Sequence, residues 1–199
     1  MINHKHKFIF IHIPKTAGHS IERAFGAWTG KDKINYGIGM DSIRRRPIQH
    51  YNLAQLERYN FISPTENSTY FKFCFVRNPY SRIVSAWKYL KVQKWSKVSE
   101  DTSFKKFVKK YKKNLHAKTH CHWTHTNGVK NIDFIGRFEN LQEDFNVICN
   151  KIGIPTKKLP HINKTNHKHY TEYYDDETRE IVAKKYAKDI EYFGYKFGE

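Results

Sequence analysis

Apolar residues occur in short runs along the chain, and each run precedes a polar turn and then apolar residues at helical spacing. Three segments share this pattern, with apolar runs at residues 8–13, 70–76 and 132–135. Apolar runs of this length, bounded by turn residues, are typical of strands buried on both faces of a parallel sheet. The pattern therefore predicts an α/β fold in which helices flank a central parallel sheet.

Four helices follow from the same pattern and from the residues at their ends. Asn78 suits an N-cap and Pro79 a first helical position. Asn140 and Glu143 have the spacing of a capping box, and Gly153 suits a C-terminal stop. The predicted helices cover residues 20–30, 79–93, 141–152 and 176–192. Residues 31–69 and 94–130 are expected to be partly helical connections that line a substrate groove.

Length and charge narrow the class of protein. A chain of 199 residues is predicted to form one domain, residues 1–199. The formal net charge is +17, from 36 Lys and Arg against 19 Asp and Glu. Such an excess indicates an anionic partner: nucleic acid, a membrane surface, a nucleotide or a polyanion. No homeodomain, zinc-finger or RNP signature is present, so the sequence does not favour nucleic acid.

The cysteines and the N-terminal segment indicate the cellular compartment in which the protein is expected. Three widely spaced cysteines, Cys74, Cys121 and Cys149, do not make a disulfide framework, which favours a reducing compartment. The apolar run near the N-terminus is too short for a signal peptide or a membrane span. We therefore expect this run to be a buried strand, and the protein to be soluble and cytoplasmic, with no membrane span.

The segment IHIPKTAGHSIERAF has the residues of a phosphate-binding loop between a strand and a helix. Lys15 supplies a positive charge, Gly18 allows close backbone approach, and Thr16 and Ser20 carry hydroxyls. The segment lacks the glycines that the Walker A pattern GxxxxGK(S/T) requires before the lysine, so magnesium-assisted kinase chemistry is disfavoured. An ordinary polar turn between strand and helix is equally consistent with these residues.

The segment FKFCFVRNPYSRIVSAWKYL contains a second candidate anion site. Arg77 follows a predicted strand, and Ser85 lies eight residues later on the next helix. A guanidinium and a hydroxyl together suit a second, separate phosphate, although an arginine capping network would use the same residues. Two phosphate sites at adjacent strand ends suit a nucleotide phosphorylated at both its 5′ and 3′ positions.

These paired motifs resemble those of the sulfotransferase superfamily. IHIPKTAGHS and FVRNPYSRIVSAW are similar to the carbohydrate branch, which includes heparan 2-O- and chondroitin-type enzymes. IDFIGRFENLQEDF and the C-terminal segment from LPHINKTNHKHY to DIEYFGYKF resemble the same branch. The resemblance covers most of the chain in order, with gaps at 31–69 and 94–130. It implies a P-loop-like three-layer α/β domain that uses 3′-phosphoadenylyl sulfate (PAPS), releases PAP and requires no metal.

The resemblance also implies roles for individual residues. The 5′-phosphosulfate would be held by Lys15, Thr16, Ala17, Gly18, His19 and Ser20. The 3′-phosphate would be held by Arg77 and Ser85, and a late loop over the nucleotide would contain Lys164 and Thr165. His19 departs from the family, where a small hydroxyl residue is frequent, so its phosphate contacts are expected to differ. The acceptor is expected to be a carbohydrate or glycoside hydroxyl, with an anionic sugar among the possibilities.

Sulfuryl transfer requires a base for the acceptor hydroxyl and a positive charge for the leaving phosphate. Lys15 is the predicted neutralising charge. His50, in RRRPIQHYNLAQL, is the predicted base, because resembling carbohydrate enzymes place their catalytic histidine between the two phosphate motifs. His12 is second, although strand alternation also allows a buried core histidine there. The remaining candidates among the 12 histidines are His116, His120, His122 and His125.

Several other clusters invite a functional interpretation. The histidines of HAKTHCHWTH, together with Cys121, suggest a zinc site. No CxxC or HExxH spacing supports such a site, so an acceptor-binding loop is the preferred interpretation. The basic runs 44–46 and 105–113 are candidates for binding an anionic acceptor, and a solvated basic surface is the alternative interpretation. Glu139 is either a second base or an ion-pair partner of Arg137, and the ion pair is preferred.

Two other classes of function stay open. A P-loop-like nucleotide kinase would show magnesium-dependent ATP turnover. A non-catalytic polyanion-binding protein would bind PAP tightly and turn over no acceptor. The missing Walker glycine and the second phosphate motif favour the sulfotransferase over the kinase.

Overall fold

The computed structural model of the chain describes residues 1–27, 39–110, 115–160 and 168–199. These residues fall into two compact units. The sheet unit comprises Met1–Val76 and His122–Lys164, and the helical unit comprises Arg77–Cys121 and Thr165–Glu199. Each unit has its own hydrophobic core. The expectation of one domain for the whole chain stays a prediction.

The described part of the chain mixes short strands with helices, which confirms the predicted α/β class. The strands are β1 (Ile2–Asn3), β2 (Phe8–Ile11), β3 (Met40–Asp41), β4 (Arg46–Pro47), β5 (Phe71–Val76), β6 (His125–Thr126), β7 (Val129–Lys130) and β8 (Phe134–Arg137). The helices are α1 (Gly18–Ala24), α2 (Leu53–Arg58), α3 (Pro64–Thr69), α4 (Pro79–Lys91), α5 (Phe104–Lys110), α6 (Cys121–Thr124), α7 (Leu141–Lys151), α8 (Asp176–Lys185) and α9 (Ala187–Phe193). Single turns of 3₁₀ helix cover Ile48–His50, Leu115–Ala117, Phe138–Asn140 and Tyr170–Tyr173.

The central sheet has four strands in the order β1-β2-β5-β8. β2 pairs with β5 and β5 pairs with β8, both in parallel. All of β2 and the second half of β5 are buried, as strands covered on both faces require. The predicted central sheet flanked by helices is therefore confirmed, and the carboxyl ends of β2 and β5 lie at one edge of it.

The edge strand β1 is an element that the apolar pattern does not predict. It runs antiparallel to β2, with Ile2 opposite Ile9 and Asn3 opposite Phe8. The Asn3 side chain accepts a hydrogen bond from the backbone N–H of His6 at 2.9 Å, which closes the turn between the two strands. A strand of two residues is too short to produce a recognisable period.

Phenylalanine rings fill one face of the sheet. Phe73 lies between Phe8 and Phe10, with ring centroids 5.5 and 5.1 Å away. Ile21 of α1 and Phe145 of α7 belong to the same fully buried cluster. The strand–turn–helix pattern of the sequence therefore translates directly into a helix-covered sheet face.

The ends of the third unit differ from the sequence prediction. β8 begins at Phe134, two residues later than predicted, and the predicted capping box at Asn140 is wrong. A 3₁₀ turn over Phe138–Asn140 gives Asn140 a ψ of 38°, so its side chain makes no capping hydrogen bond. Asp144 instead accepts the backbone N–H of Arg137 at 2.6 Å. Gly153, with φ of 70°, ends the helix as predicted.

The helical unit packs around α4, which begins at the predicted cap. The Asn78 side chain accepts from the backbone N–H of Tyr80 at 3.1 Å. The predicted last helix is in fact two, α8 and α9, separated at Tyr186. Tyr186 is buried and donates its hydroxyl to the carbonyl of Ala117 at 2.7 Å, which fixes the break. Among the described helices, none has the length and apolar character needed to span a bilayer.

The connections predicted to be partly helical contain α2, α3, α5 and α6. α2 and α3 both begin with capping boxes, one from Asn52 with Gln55 and one from Ser63 with Glu66. These N-x-x-Q and S-x-x-E spacings were readable signals of both helix starts. Residues 31–38 of this stretch lie outside the described residues, as do residues 28–30 of the first predicted helix. That helix, α1, ends at Ala24, earlier than predicted.

Candidate active site

The loop after β2 holds the residues of the first phosphate motif in an unusual backbone conformation. Lys15 and Ala17 both have positive φ, 70° and 65°, which L-residues adopt at a cost. Thr16 is fully buried, and its hydroxyl donates to the carbonyl of Ile13 at 2.8 Å. The Thr16 side chain therefore closes the loop on itself, while Lys15 and Ala17 stay partly exposed. Ser20 is buried in the first turn of α1.

His12 is the side chain against which this loop packs. A Cβ atom added to Gly18 would lie 2.1 Å from both Cδ2 and Nε2 of the His12 ring, so only glycine fits there. On the other side of the ring, Nδ1 lies 2.7 Å from Oε1 of Glu22, and both residues are almost fully buried. Glu22 contacts His12 of the candidate site, and the sequence reasoning missed it.

Gly18→Ala is expected to destabilise the loop by about 1–3 kcal/mol, the usual cost of an overpacked core position. The cause is the contact with the His12 ring, which Glu22 prevents from swinging away. Urea unfolding followed by circular dichroism measures the loss. Ala17→Gly is the matched control, since glycine relieves the positive φ and should be neutral or stabilising. Equal stability of the two variants would contradict the packing argument.

Three histidine rings meet at this loop. The His12 ring lies 5.2 Å from that of His19 and 4.7 Å from that of His50, both edge to face. His50 also makes a hydrogen bond of 3.0 Å from Nδ1 to the backbone carbonyl of His12. Since a carbonyl only accepts, Nδ1 carries the proton and the neutral ring has its lone pair on Nε2. His50 is thus held as the tautomer that suits a base acting through Nε2.

The charges of this cluster follow from burial and from the His12–Glu22 contact. Burial alone would raise the pKa of Glu22, but the charge of His12 and the hydrogen bond to it lower that pKa to about 2. Glu22 is therefore a buried carboxylate that holds the His12 ring. Burial, with the charge of His12, lowers the pKa of His19. His19 is accordingly neutral at pH 7 and does not add a second positive charge beside Lys15.

The second phosphate motif lies in the helical unit. Nε and Nη2 of Arg77 donate to the hydroxyl of Ser81 at 3.1 and 2.8 Å. Ser85, the predicted partner of Arg77, is one turn further along α4 on the same face as Ser81, since residues four apart are neighbours on a helix. Ser81 is a second residue that the sequence reasoning missed. Lys164 and Thr165 lie outside the described residues, so their predicted loop is not described.

Comparison with known proteins shows what kind of chain carries these motifs. The model of the sulfotransferase family matches residues 1–196, nearly the whole chain and both phosphate motifs. The chain belongs to the sulfotransferase family. The predicted resemblance is therefore confirmed. No solved structure matches the chain.

The relatives of this sulfotransferase-family chain include carbohydrate enzymes at low identity. It is 26% identical to carbohydrate sulfotransferase 9 of Homo sapiens, over 95% of this chain and 47% of that protein. It is 24% identical to carbohydrate sulfotransferase 11 of Rattus norvegicus, over 77% of this chain and 53% of that protein. An uncharacterised protein of Archaeoglobus fulgidus is 36% identical over 47% of this chain and 77% of its own length. The chain spans about half the length of the two carbohydrate sulfotransferases.

Within this family member, three of the other candidate histidines have structural partners. His120 is fully buried and its ring contacts Asp189, so it does not face a substrate as a base would. His116 is mostly buried and its ring contacts that of Tyr89. The ring of His125 bonds to the hydroxyl of Thr124 at 2.7 Å.

The histidine-rich segment does not form a metal site in the described residues. No three His, Cys, Asp or Glu side chains of residues 1–27, 39–110, 115–160 and 168–199 gather as metal ligands would. Burial and the nearby Asp189 raise the pKa of Cys121 to about 12, so its thiol stays protonated at neutral pH.

The basic runs proposed for acceptor binding are partly neutralised by local carboxylates. Arg44 pairs with Asp41 at 2.9 Å, and its guanidinium lies 3.7 Å from the centroid of the Tyr59 ring. In the helical unit, Lys105 pairs with Asp175 at 2.9 Å. These side chains have structural partners, while Arg45 and Arg46 are exposed. Residues 111–114 of the second run lie outside the described residues.

His120 also produces a pH dependence of stability. Burial, reinforced by the charge of Arg82, lowers the pKa of His120 to about 4. Between pH 6.5 and 4 the unfolded chain therefore binds a proton that the folded chain does not, and stability falls as pH falls. We expect the free energy of unfolding in urea to drop by about 2 kcal/mol from this group between pH 7 and pH 5. His120→Gln should lose this part of the dependence; an unchanged slope would contradict the assignment.

Proposed function

We propose that this protein transfers a sulfuryl group from PAPS to a hydroxyl of a carbohydrate acceptor. One observation carries the proposal: the sulfotransferase family match spans residues 1–196, including both phosphate motifs, and His50 lies beside the first of them. The carbohydrate sulfotransferases among its relatives support a sugar acceptor. A cytoplasmic location stays a prediction.

Two groups of residues suit the two ends of the donor. At the first motif, Lys15 offers a positive charge, and the left-handed residues Lys15 and Ala17 shape the loop at which we propose the 5′-phosphosulfate binds. At the second motif, Arg77 with Ser81 and Ser85 offers a guanidinium and hydroxyls for the 3′-phosphate. Guanidinium and hydroxyl donors match phosphate oxygens in number and geometry.

The proposed reaction is an in-line displacement at sulfur. His50 accepts the proton of the acceptor hydroxyl at Nε2, and the acceptor oxygen forms its bond to sulfur. The bond from sulfur to the 5′-phosphate oxygen breaks, and PAP leaves with the electron pair. Lys15 balances the negative charge that develops on that phosphate. Positioning and electrostatics supply the rate acceleration, as in phosphoryl transfer.

The two alternative functions make different predictions for binding. A kinase would bind ATP with magnesium, whereas the first motif lacks the glycines of the Walker A pattern. A polyanion-binding protein would bind PAP, ATP and other polyanions according to charge alone. Selectivity for PAP without metal therefore separates the sulfotransferase from both.

Calorimetric titration of the purified protein with PAP, with ATP and AMP as controls and no metal, is the direct test. We expect micromolar affinity for PAP and much weaker binding of ATP and AMP. Arg77→Ala should weaken PAP binding about 10–100-fold, the value of one or two hydrogen bonds to a charged phosphate. Arg58→Ala, at an exposed arginine of α2, is the matched control and should leave the affinity unchanged. Equal binding of PAP and ATP, or full affinity of Arg77→Ala, would contradict the proposal.

A further inference from the structure

A fully buried histidine–aspartate pair lies inside the helical unit. Nδ1 of His120 is 3.0 Å from Oδ2 of Asp189, and both side chains have no solvent exposure. The same carboxylate accepts the backbone N–H groups of His120 and Cys121 at 2.6 and 3.1 Å. The ring of Phe193 packs edge to face against His120, 5.7 Å away. A polar group buried this completely and bonded this fully has a single orientation.

The second ring nitrogen of His120 reaches the phosphate motif. Nε2 accepts the backbone N–H of Arg77 at 3.3 Å. Because an N–H points at Nε2, the lone pair is there and the proton is on Nδ1, facing Asp189. Protonation or the other tautomer would bring two N–H groups face to face. Asp189 therefore selects the form of His120 that accepts the Arg77 amide.

The backbone of Arg77 needs such support because it joins two elements. Arg77 directly follows Val76, the last residue of β5, and precedes Asn78, the N-cap of α4. The Asn78 side chain donates to the carbonyl of Lys196 at 2.8 Å. Two adjacent residues of this turn are thus held by α9 and the segment after it, one through Asp189 and one through Lys196.

We propose that His120, oriented by Asp189, is a positioning residue that sets the backbone of Arg77 for recognition of the donor's 3′-phosphate. The proposal rests on the proposed function, in which the Arg77 guanidinium contacts that phosphate. A guanidinium that binds a phosphate through two N–H groups tolerates little displacement of its backbone. The resemblance assigns no role to either His120 or Asp189.

Two substitutions test the two hydrogen bonds of the His120 ring separately. His120→Gln places an amide near the former Nε2 and keeps an acceptor for the Arg77 N–H. His120→Asn places an amide near the former Nδ1 and keeps a donor for Asp189, but loses the contact with Arg77. Both lose packing against Phe193, so a purely structural role would lower the stability and the binding of both in the same way.

The readout is the ratio of the affinities for PAP and AMP, because these ligands differ only in the 3′-phosphate. We expect His120→Asn to reduce this ratio about 10-fold with AMP binding unchanged, the value of one weakened hydrogen bond to a charged group. For His120→Gln, the ratio of the PAP and AMP affinities should stay within about 3-fold of that of the natural protein, which corresponds to less than one such hydrogen bond. Equal ratios in both variants, whether reduced or intact, would overturn the proposal.

The natural protein distinguishes this proposal from the proposed function. If it binds PAP no better than AMP, the 3′-phosphate assignment itself fails, whatever the variants do. If the natural protein prefers PAP and only His120→Asn loses this preference, the 3′-phosphate assignment and the positioning role of His120 are both supported. Should the variants fail to fold, ¹⁵N NMR of the natural protein decides the matter. We expect PAP, and not AMP, to shift the Arg77 amide and His120 Nε2 signals, and equal shifts with both ligands would overturn the proposal.

Discussion

His50→Ala is expected to lower kcat by about 10²–10⁴-fold, the usual contribution of a general base. The affinity for PAP should stay within about 2-fold, because the side chain holds no phosphate in the proposed arrangement and a change of that size is below one hydrogen bond. The loss of kcat is expected because Nδ1 of His50 donates to the carbonyl of His12, which leaves Nε2 as the basic atom of the ring. Transfer of radiolabelled sulfate from PAPS to desulfated heparan and chondroitin measures kcat, and calorimetry measures the affinity.

His4→Ala is the matched control for this experiment. His4 is an exposed histidine whose ring contacts Tyr70 and Glu66, and its loss should leave turnover unchanged. His50→Gln should be as inactive as His50→Ala, because an amide nitrogen or oxygen is not a base at neutral pH. Full activity of His50→Ala would exclude His50 and move the role of base to His12 or to a histidine of the later cluster.

The sheet was predictable because its strands are apolar runs. A buried parallel strand cannot alternate apolar and polar residues, so β2 and β5 are visible in the sequence alone. The cap of α4 at Asn78 and the stop at Gly153 were equally visible, since each depends on local chemistry. The break at Tyr186 was not, because it depends on a distant carbonyl at Ala117.

The same division holds for the candidate site. Lys15, Gly18 and Arg77 could be named from short motifs in which spacing implies geometry. Glu22 and Asp189 could not, since each acts through one histidine: His12, ten residues away, and His120, 69 residues away. A motif gives the residues that touch a ligand, whereas the side chains that orient them are fixed by packing.

His50 was predicted as the base from the resemblance, and that role stays a prediction. With 12 histidines in the chain, composition does not rank them. The structure separates them by what their ring nitrogens contact: His120 bonds inward to Asp189 and Arg77, and His50 bonds to a carbonyl beside the first phosphate loop. Such contacts depend on residues distant in sequence, so no spacing rule predicts them.

The second large effect is expected for Lys15→Met, which keeps the length of the side chain and removes its charge. We expect kcat to fall about 10²–10³-fold, as when a group that stabilises developing charge in a transition state is removed. PAP affinity should fall only about 10-fold, because in the proposed function Arg77 also binds the donor, and one lost interaction with a phosphate has roughly this value. Single-turnover rates at saturating PAPS, beside calorimetry with PAP, separate the two quantities.

Lys15→Arg and Lys5→Met are the controls, one for the charge at residue 15 and one for the loss of a lysine charge elsewhere. Lys15→Arg keeps the charge and should recover part of the rate, although a guanidinium is wider than an ammonium and fits the tight loop less well. Lys5, exposed in the turn between β1 and β2, should tolerate the loss of its charge without effect on kcat. A Lys15→Met variant that loses PAP affinity and kcat by the same factor would show that Lys15 binds the donor equally before and during transfer. The charge on the leaving phosphate would then have to be stabilised by another group.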